Sequence, residues 1–394
     1  MKATVPHEVV NSGLTSEFRF PTRLRFGAGC ASFIVDDIVE AGYKQVSIIY
    51  ADVVEDFYRN LRDEMHGRGV QTHAYAPRVG EPSIADLADA MDSAVDPETD
   101  AVIGIGGGSV LDLAKLVAAM IGNDQPIREA FGIGKLNQRK AHLICVPTTS
   151  GTGSEVSPNA ILTDTDEQLK KGVVSPWLLP DASYIDPALT VSLPPAVTAS
   201  TGVDALTHCI EAYANRFAHP LIDPYALQGV RLIAGSLERA YSRGDDLDAR
   251  SAMALGSMYG GLCLGPVNTA AVHALAYPLG GEYHIAHGLA NAVLLPHVLA
   301  FNLEAAPQRY ADIAIALGAA DRGNPIDTAR AGITRIRELN SACGIPGSLR
   351  QIGIPAEAAP RLAEAAMKVQ RLLVRNVREV TVADAEMIYR KAMK

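Results

Sequence analysis

From about residue 20 to residue 185, short apolar runs alternate with stretches whose apolar positions repeat at helical spacing. RLRF at Arg23 to Phe26 reads as a strand ended by Gly27 and Gly29. QVSIIY, Gln45 to Tyr50, reads as a buried strand, and an amphipathic stretch follows from Val53 to Met65. VQTHAY near Thr72 predicts a third strand, ahead of the helix-like DLADAMDSAV from Asp86. A strand from Ala101 then runs into glycines, SVLDLAKLVAAM continues as a helix, and LICVP ends another strand at Pro147. Strands alternating with helices imply a mainly parallel sheet covered on both faces.

After about Asp186 the pattern changes. Strand-like alternation fades, and Ala/Leu-rich helical stretches dominate, among them Ala196 to Ala214 and Ala249 to Leu264. Pro187, Pro194 and Pro195 punctuate the change and place a domain boundary there. The expectation is an α/β domain over residues 1–187 and an all-helical domain over residues 188–394. A chain of 394 residues is long enough for two cores. The stretch from Ala356 to Lys394 reads as polar-faced helices without obvious chemistry.

Composition adds exclusions. A net charge of −9 disfavours nucleic acid or an anionic membrane as the main partner. No apolar run is long enough to span a bilayer, and MKATVPHEVVNSG lacks the apolar stretch of a signal peptide. Five scattered cysteines without a CxxC pair suit reduced thiols in a cytoplasm.

Two segments suggest a phosphate-bearing ligand. Gly104-Ile-Gly106-Gly107-Gly108-Ser109 sits where a buried strand meets a helix. Glycines there let backbone N–H groups approach a pyrophosphate, and the helix N-terminus favours negative charge. Ser109 stands where the usual fingerprint has its third glycine or alanine, and a tight turn without ligand explains the glycines too. The cluster from Thr148 to Ser154 follows the strand ending at Pro147. Its small hydroxyl and glycine residues fit a ligand phosphate or amide, and equally a solvated loop.

The histidines are unevenly spread. Four of the ten, His273, His284, His287 and His297, fall within 25 residues, where even spreading puts fewer than one. Asp204 and His208 stand four apart in a helical pattern, so both lie on one face among apolar neighbours. A buried carboxylate is costly unless paired or bound to a cation. One carboxylate and several imidazoles suit a divalent metal such as Fe²⁺ or Zn²⁺, against the alternative of satisfied core histidines. His297, beyond the apolar run AVLLP, reads as structural.

Taken together, these residues closely resemble the iron-containing (group III) alcohol dehydrogenase family. The likeness begins at Phe26-Gly27-Ala-Gly29 and includes Gly106-Gly-Gly-Ser-Val-Leu-Asp112-Leu-Ala-Lys115. It continues through Pro147-Thr-Thr-Ser-Gly-Thr-Gly-Ser-Glu155-Val, Asp186-Pro-Ala-Leu189 and Thr201-Gly-Val-Asp204-Ala-Leu-Thr-His208. It ends with His273-Ala-Leu-Ala-Tyr-Pro-Leu-Gly-Gly through His287-Gly.

The resemblance implies a dehydroquinate synthase-like architecture with the site in the cleft between its two domains. It implies Asp204, His208, His273 and His287 as metal ligands, and Gly107, Gly108, Ser109 and Asp112 as the pyrophosphate turn. It further implies Thr148, Thr149 and Thr152 beside the cofactor, Lys170 near the ribose, and a homodimer to which the first twenty residues contribute. The expected reaction is hydride transfer between a small alcohol or aldehyde and NAD or NADP, with Fe²⁺ or Zn²⁺ as Lewis acid.

Two departures bear on the chemistry. Four residues beyond His273, where many members carry another His, this chain has Tyr277, a poor base at neutral pH. Tyr277 and His284 are therefore the candidates for relaying the proton. At the end of the first cofactor-domain strand, where NAD-preferring members often have Asp, stands Ala51, with Asp52 one residue on. Loss of that carboxylate opens the site to NADP. Maleylacetate reductase, glycerol dehydrogenase-like and dehydroquinate synthase-like enzymes are the competing activities, and a cofactor-binding protein without turnover is the non-enzymatic alternative.

Overall fold

The computed structural model describes residues 16–78, 80–166 and 169–394. Most of the segment expected at a subunit contact lies outside the described residues. The strands are β1 (Arg23–Phe26), β2 (Gln45–Tyr50), β3 (Gln71–Tyr75), β4 (Ala101–Gly106), β5 (Gly132–Ile133), β6 (His142–Pro147), β7 (Asn159–Asp164), β8 (Leu169–Val174) and β9 (Ala182–Ile185). Six form one wholly parallel sheet in the order β1-β9-β6-β4-β2-β3.

Both faces of that sheet are covered, as its unbroken apolar strands require. α1 (Ile34–Glu40) and α2 (Glu55–Gly67) bury Val46, Ile48, Ile103 and Ile105 on one face. α3 (Ile84–Ala94) and α4 (Gly108–Met120) bury Ile49, Val102, Leu143 and Cys145 on the other. α3 starts at a capping box, in which the Ser83 hydroxyl accepts from the Asp86 N–H and the Asp86 carboxylate accepts from the Ser83 N–H. After the short α5 (Ile127–Ala130), a second sheet of order β5-β8-β7 carries the antiparallel pair β7 and β8.

From Pro195 onward the chain is helical. α6 (Pro195–Tyr213) is buried along most of its length and packs against α7 (Asp223–Ser242) and α8 (Leu247–Leu264). α9 (Ala271–Tyr283) and α10 (His287–Asn302) close over it. The chain continues through α11 (Pro307–Ala316), α12 (Pro325–Ala342), α13 (Ala359–Ala366), α14 (Gln370–Leu373) and α15 (Val382–Ala392). Among the described residues no helix is long and apolar enough to cross a membrane. All five cysteines are unpaired and buried, and burial pushes the thiols of Cys30 and Cys145 up to about 11 and about 12.

The two parts touch backbone to backbone. Gly153, in the loop after β6, has φ of +61°, and a Cβ there would stand 2.3 Å from the Cα of Gly261 on α8. The approach is reciprocal, since a Cβ on Gly261 would stand 2.5 Å from the Gly153 carbonyl oxygen. Gly153→Ala combines left-handed strain with overpacking, and the expected cost is about 2 kcal/mol or more. The melting temperature should drop by roughly 2–3 °C or more, read by calorimetry.

Beneath the same loop lie two buried charges. Lys115 on α4 donates its Nζ to the carbonyls of Ser157 and Asn159, each at 2.8 Å, and burial lowers its pKa. Burial pushes the Glu155 carboxyl up from 4.5 to about 7, against the smaller downward pull of Lys115. The folded state therefore binds a proton more tightly than the unfolded chain. The resulting stability is fully present below about 4.5 and is lost as pH rises through about 7. Glu155→Gln is expected to flatten the fall in melting temperature between pH 5 and pH 8, and an unchanged slope would assign it to other groups.

Candidate functional site

The cleft between the two parts opens at the carboxyl ends of the parallel strands, the usual ligand position in such sheets. β4 ends in the glycine turn, and its neighbour β6 ends beside it, with the Thr148 N–H bonded to the Gly106 carbonyl at 2.9 Å. α4 begins after Gly107 with no side chain capping it, so its first N–H groups face the cleft unclaimed by the protein's own side chains. Thr152 fills the space where a Cβ on Gly108 would lie, at 2.4 Å, which brings the turn and the hydroxyl-rich loop together.

Asp112 does different work from the turn itself. Its half-buried carboxylate accepts from the Ser154 hydroxyl at 2.6 Å and the Ile161 N–H at 2.8 Å, bracing the loop to β7. Lys170 on β8 is paired with Glu81 at 2.9 Å and lies against Gly280 of α9. Glu81 gave no signal in the sequence. At the end of β2, Ala51 leads into a short turn that carries Asp52 exposed to solvent.

The metal-type residues converge. Asp204 and His208 lie one turn apart on α6, His273 comes from the first turn of α9, and His287 opens α10. The Asp204 Oδ1 is 4.0 Å from His208 Nε2, 3.5 Å from His273 Nε2 and 3.7 Å from His287 Nε2. Asp204, His208 and His273 are buried, and each offers a ligand atom within 4.8 Å of the others. Against the cost of burial, the surrounding imidazoles hold the Asp204 carboxyl well below its ordinary range. Burial lowers His208 and His287, while hydrogen bonding to Asp204 and Glu211 overrides burial and raises His273.

Two residues of this cluster escaped the sequence reading. Glu211, one turn beyond His208 on α6, accepts from the Ala270 and Val272 N–H groups at the start of α9. Its Oε2 also lies 2.6 Å from His273 Nδ1, which fixes the ring and turns its other nitrogen, Nε2, toward Asp204. Asn291, one turn beyond His287, is wholly buried. Its Nδ2 donates to Asp204 Oδ1 at 2.7 Å and stands 3.2 Å from the Nε2 atoms of both His273 and His287.

The donor set fits a divalent cation. Protein partners leave His208 Nδ1 and Asn291 Oδ1 without any hydrogen bond, and one carboxylate oxygen faces three imidazole nitrogens. One hard oxygen and three imidazoles are the ligands preferred by metals such as Fe²⁺ or Zn²⁺.

The two relay candidates part company. Tyr277, one turn beyond His273, has its ring 5.9 Å from that of His287, and its hydroxyl accepts from Arg371 Nη2 at 2.9 Å. His284 caps α9 in the left-handed region, exposed and without a side-chain hydrogen bond to the four metal-type residues. His297 lies further along α10, where burial lowers its pKa to about 4, and takes no part in the cluster.

Comparison with known proteins identifies the family. Residues 21–187 match the family described as iron-containing alcohol dehydrogenase, and residues 198–393 match the C-terminal part of the Fe-containing alcohol dehydrogenase family. Long-chain-alcohol dehydrogenase 1 of Geobacillus thermodenitrificans is 39% identical over 387 residues, 95% of either chain. Lactaldehyde reductase of Escherichia coli K12 is 33% identical over 372 residues, 93% of this chain and 97% of its own. The solved alcohol dehydrogenase from Oenococcus oeni superposes with a TM-score of 0.91 at 31% identity, covering 96% of this chain and all of that one.

Glu211→Gln keeps the shape of the side chain but removes the charge that orients His273. It is expected to weaken metal binding by about 10–100-fold in a chelator competition. Affinity unchanged within about twofold would mean that packing alone orients His273.

Proposed function

The chain belongs to the iron-containing alcohol dehydrogenase family, and we propose that it reversibly oxidises a small alcohol to the aldehyde with a nicotinamide cofactor. The observation that carries this reading is the buried Asp204 facing the Nε2 atoms of His208, His273 and His287. A divalent metal there, Fe²⁺ with Zn²⁺ as the alternative, supplies Lewis acidity to the substrate oxygen, and the nicotinamide carries the hydride.

The chain's own groups bind, orient and exclude. The uncapped start of α4 at Gly107, Gly108 and Ser109 takes the pyrophosphate, with Thr148, Thr149 and Thr152 beside it. Lys170, held by Glu81, serves the ribose. Tyr277 is the stronger relay candidate: Arg371 donates into its oxygen, which leaves the phenolic proton free to point elsewhere. NAD is the assigned cofactor, with NADP also accepted, because Ala51 puts no carboxylate at the end of β2. The five buried thiols suit a reducing cytoplasm. The open edge of β1, with Phe26 and Phe33 exposed, suits a homodimer.

The test is reduction of short aldehydes with NADH and NADPH, run anaerobically on protein stripped of metal and then given Fe²⁺ or Zn²⁺. Turnover is expected only with metal restored. His273→Ala is expected to lose metal, and activity on the order of a thousandfold or more. A His273→Ala protein that keeps both would overturn the ligand assignment.

A further inference from the structure

Arg371, in the C-terminal tail, comes from a segment whose sequence suggested no chemistry, yet it reaches the cleft. Its Nη2 donates to Tyr277 Oη at 2.9 Å, and its Cζ lies 5.7 Å from the Tyr277 ring centroid. That ring is 5.9 Å from the imidazole of His287. On its other side the guanidinium borders β8, with Nη2 3.8 Å from the place a Cβ on Gly172 would occupy. The half-buried guanidinium therefore sits in the wall where α9, α14 and β8 meet beside the metal-type cluster.

Its charge is uncompensated. The one side-chain partner of Arg371 among the described residues is a neutral phenol, and no carboxylate pairs with it. A second cation, Arg375, lies close enough that its pKa is lowered first by burial and then by Arg371. Other packed arginines spend their donors: Arg250 on the Gly244 and Leu193 carbonyls and the Thr198 hydroxyl, and Arg375 on the Arg371 and Val267 carbonyls. Arg139 spends its donors on both oxygens of Asp181 and on backbone carbonyls, and Arg309 pairs with Asp223. Lys170, on the same wall, is already paired with Glu81.

A half-buried guanidinium with most of its donor fork unused is a carboxylate-binding group without its carboxylate. We propose that Arg371 binds an acidic group on the substrate, so that the preferred substrates are short aliphatic aldehydes ending in a carboxylate. Tyr277 holds the guanidinium in place from the side of the cluster. The proposal rests on the dehydrogenase reading for its reaction but not for its binding step.

Two measurements on metal-loaded full-length protein keep those apart. The first compares kcat/KM for succinic semialdehyde with that for butanal, an unbranched aldehyde of equal length. The wild type should favour the acid, chiefly through KM. Arg371→Met should cut that preference on the order of 30-fold, and Arg371→Lys should restore part of it. A merely structural role would lower both aldehydes in proportion and leave the ratio unmoved. The second measures binding of 4-hydroxybutyrate and 1,4-butanediol by calorimetry in the presence of NADH, with the acid expected to bind more tightly in the wild type and to lose that advantage in Arg371→Met.

Turnover of butanal with no preference for the acid in either measurement overturns the proposal and leaves the dehydrogenase reading standing. Arg371-dependent binding of 4-hydroxybutyrate without turnover of any aldehyde supports the anion site and overturns the dehydrogenase reading. An acid preference that survives Arg371→Met overturns the assignment to Arg371.

Discussion

A carboxylate buried among helices is unstable unless it is paired, and Asp204 meets that demand with His273, whose pKa is raised, the Asn291 amide and the imidazoles of His208 and His287. Much of the helical part is arranged around this requirement. α6 supplies the carboxylate and its first imidazole on one face, and Glu211 on the same helix collects the start of α9 so that His273 arrives correctly turned. α10 begins on His287 and returns Asn291 to the same oxygen one turn later. Remove the charge at the centre and the three helices lose their common reason to meet there.

The parallel sheet answers a separate demand. Its strands are apolar on both faces and must be covered by helices, which places the turn after β4 and the loop after β6 at one rim. That rim becomes a site only because the helical part is held against it. The near-contact of Gly153 with Gly261 fixes the distance, and the brace from Asp112 to Ser154 and Ile161 fixes the loop.

What the sequence disclosed follows from the range of the interactions involved. The main strands and helices were legible because burial on two faces or one writes a local period into the chain. The hairpin of β7 and β8 was not. Asp164 occupies an inward position of β7 at zero exposure, satisfied by Arg128 and Lys171, so the alternation of buried and open positions carries a charge where an apolar residue is expected. The metal-type ligands were legible through the spacing of Asp204 and His208, the crowding of histidines and the family motifs. Glu211, Asn291 and Arg371 were not, because each acquires its meaning from a helix distant in sequence: Tyr277 stands 94 positions before Arg371.

The burial of the cysteines has a consequence for how this molecule can be handled. With thiols pushed to about 11 or 12, the reactive thiolate at neutral pH is on the order of one part in ten thousand or less, and the sulfurs are out of reach of a reagent as well. The natural chain is thus a silent background for thiol chemistry. A single cysteine placed on the surface of each part would take a probe alone, and opening and closing of the cleft could be followed by the distance between two labels without first stripping the protein of its own sulfur.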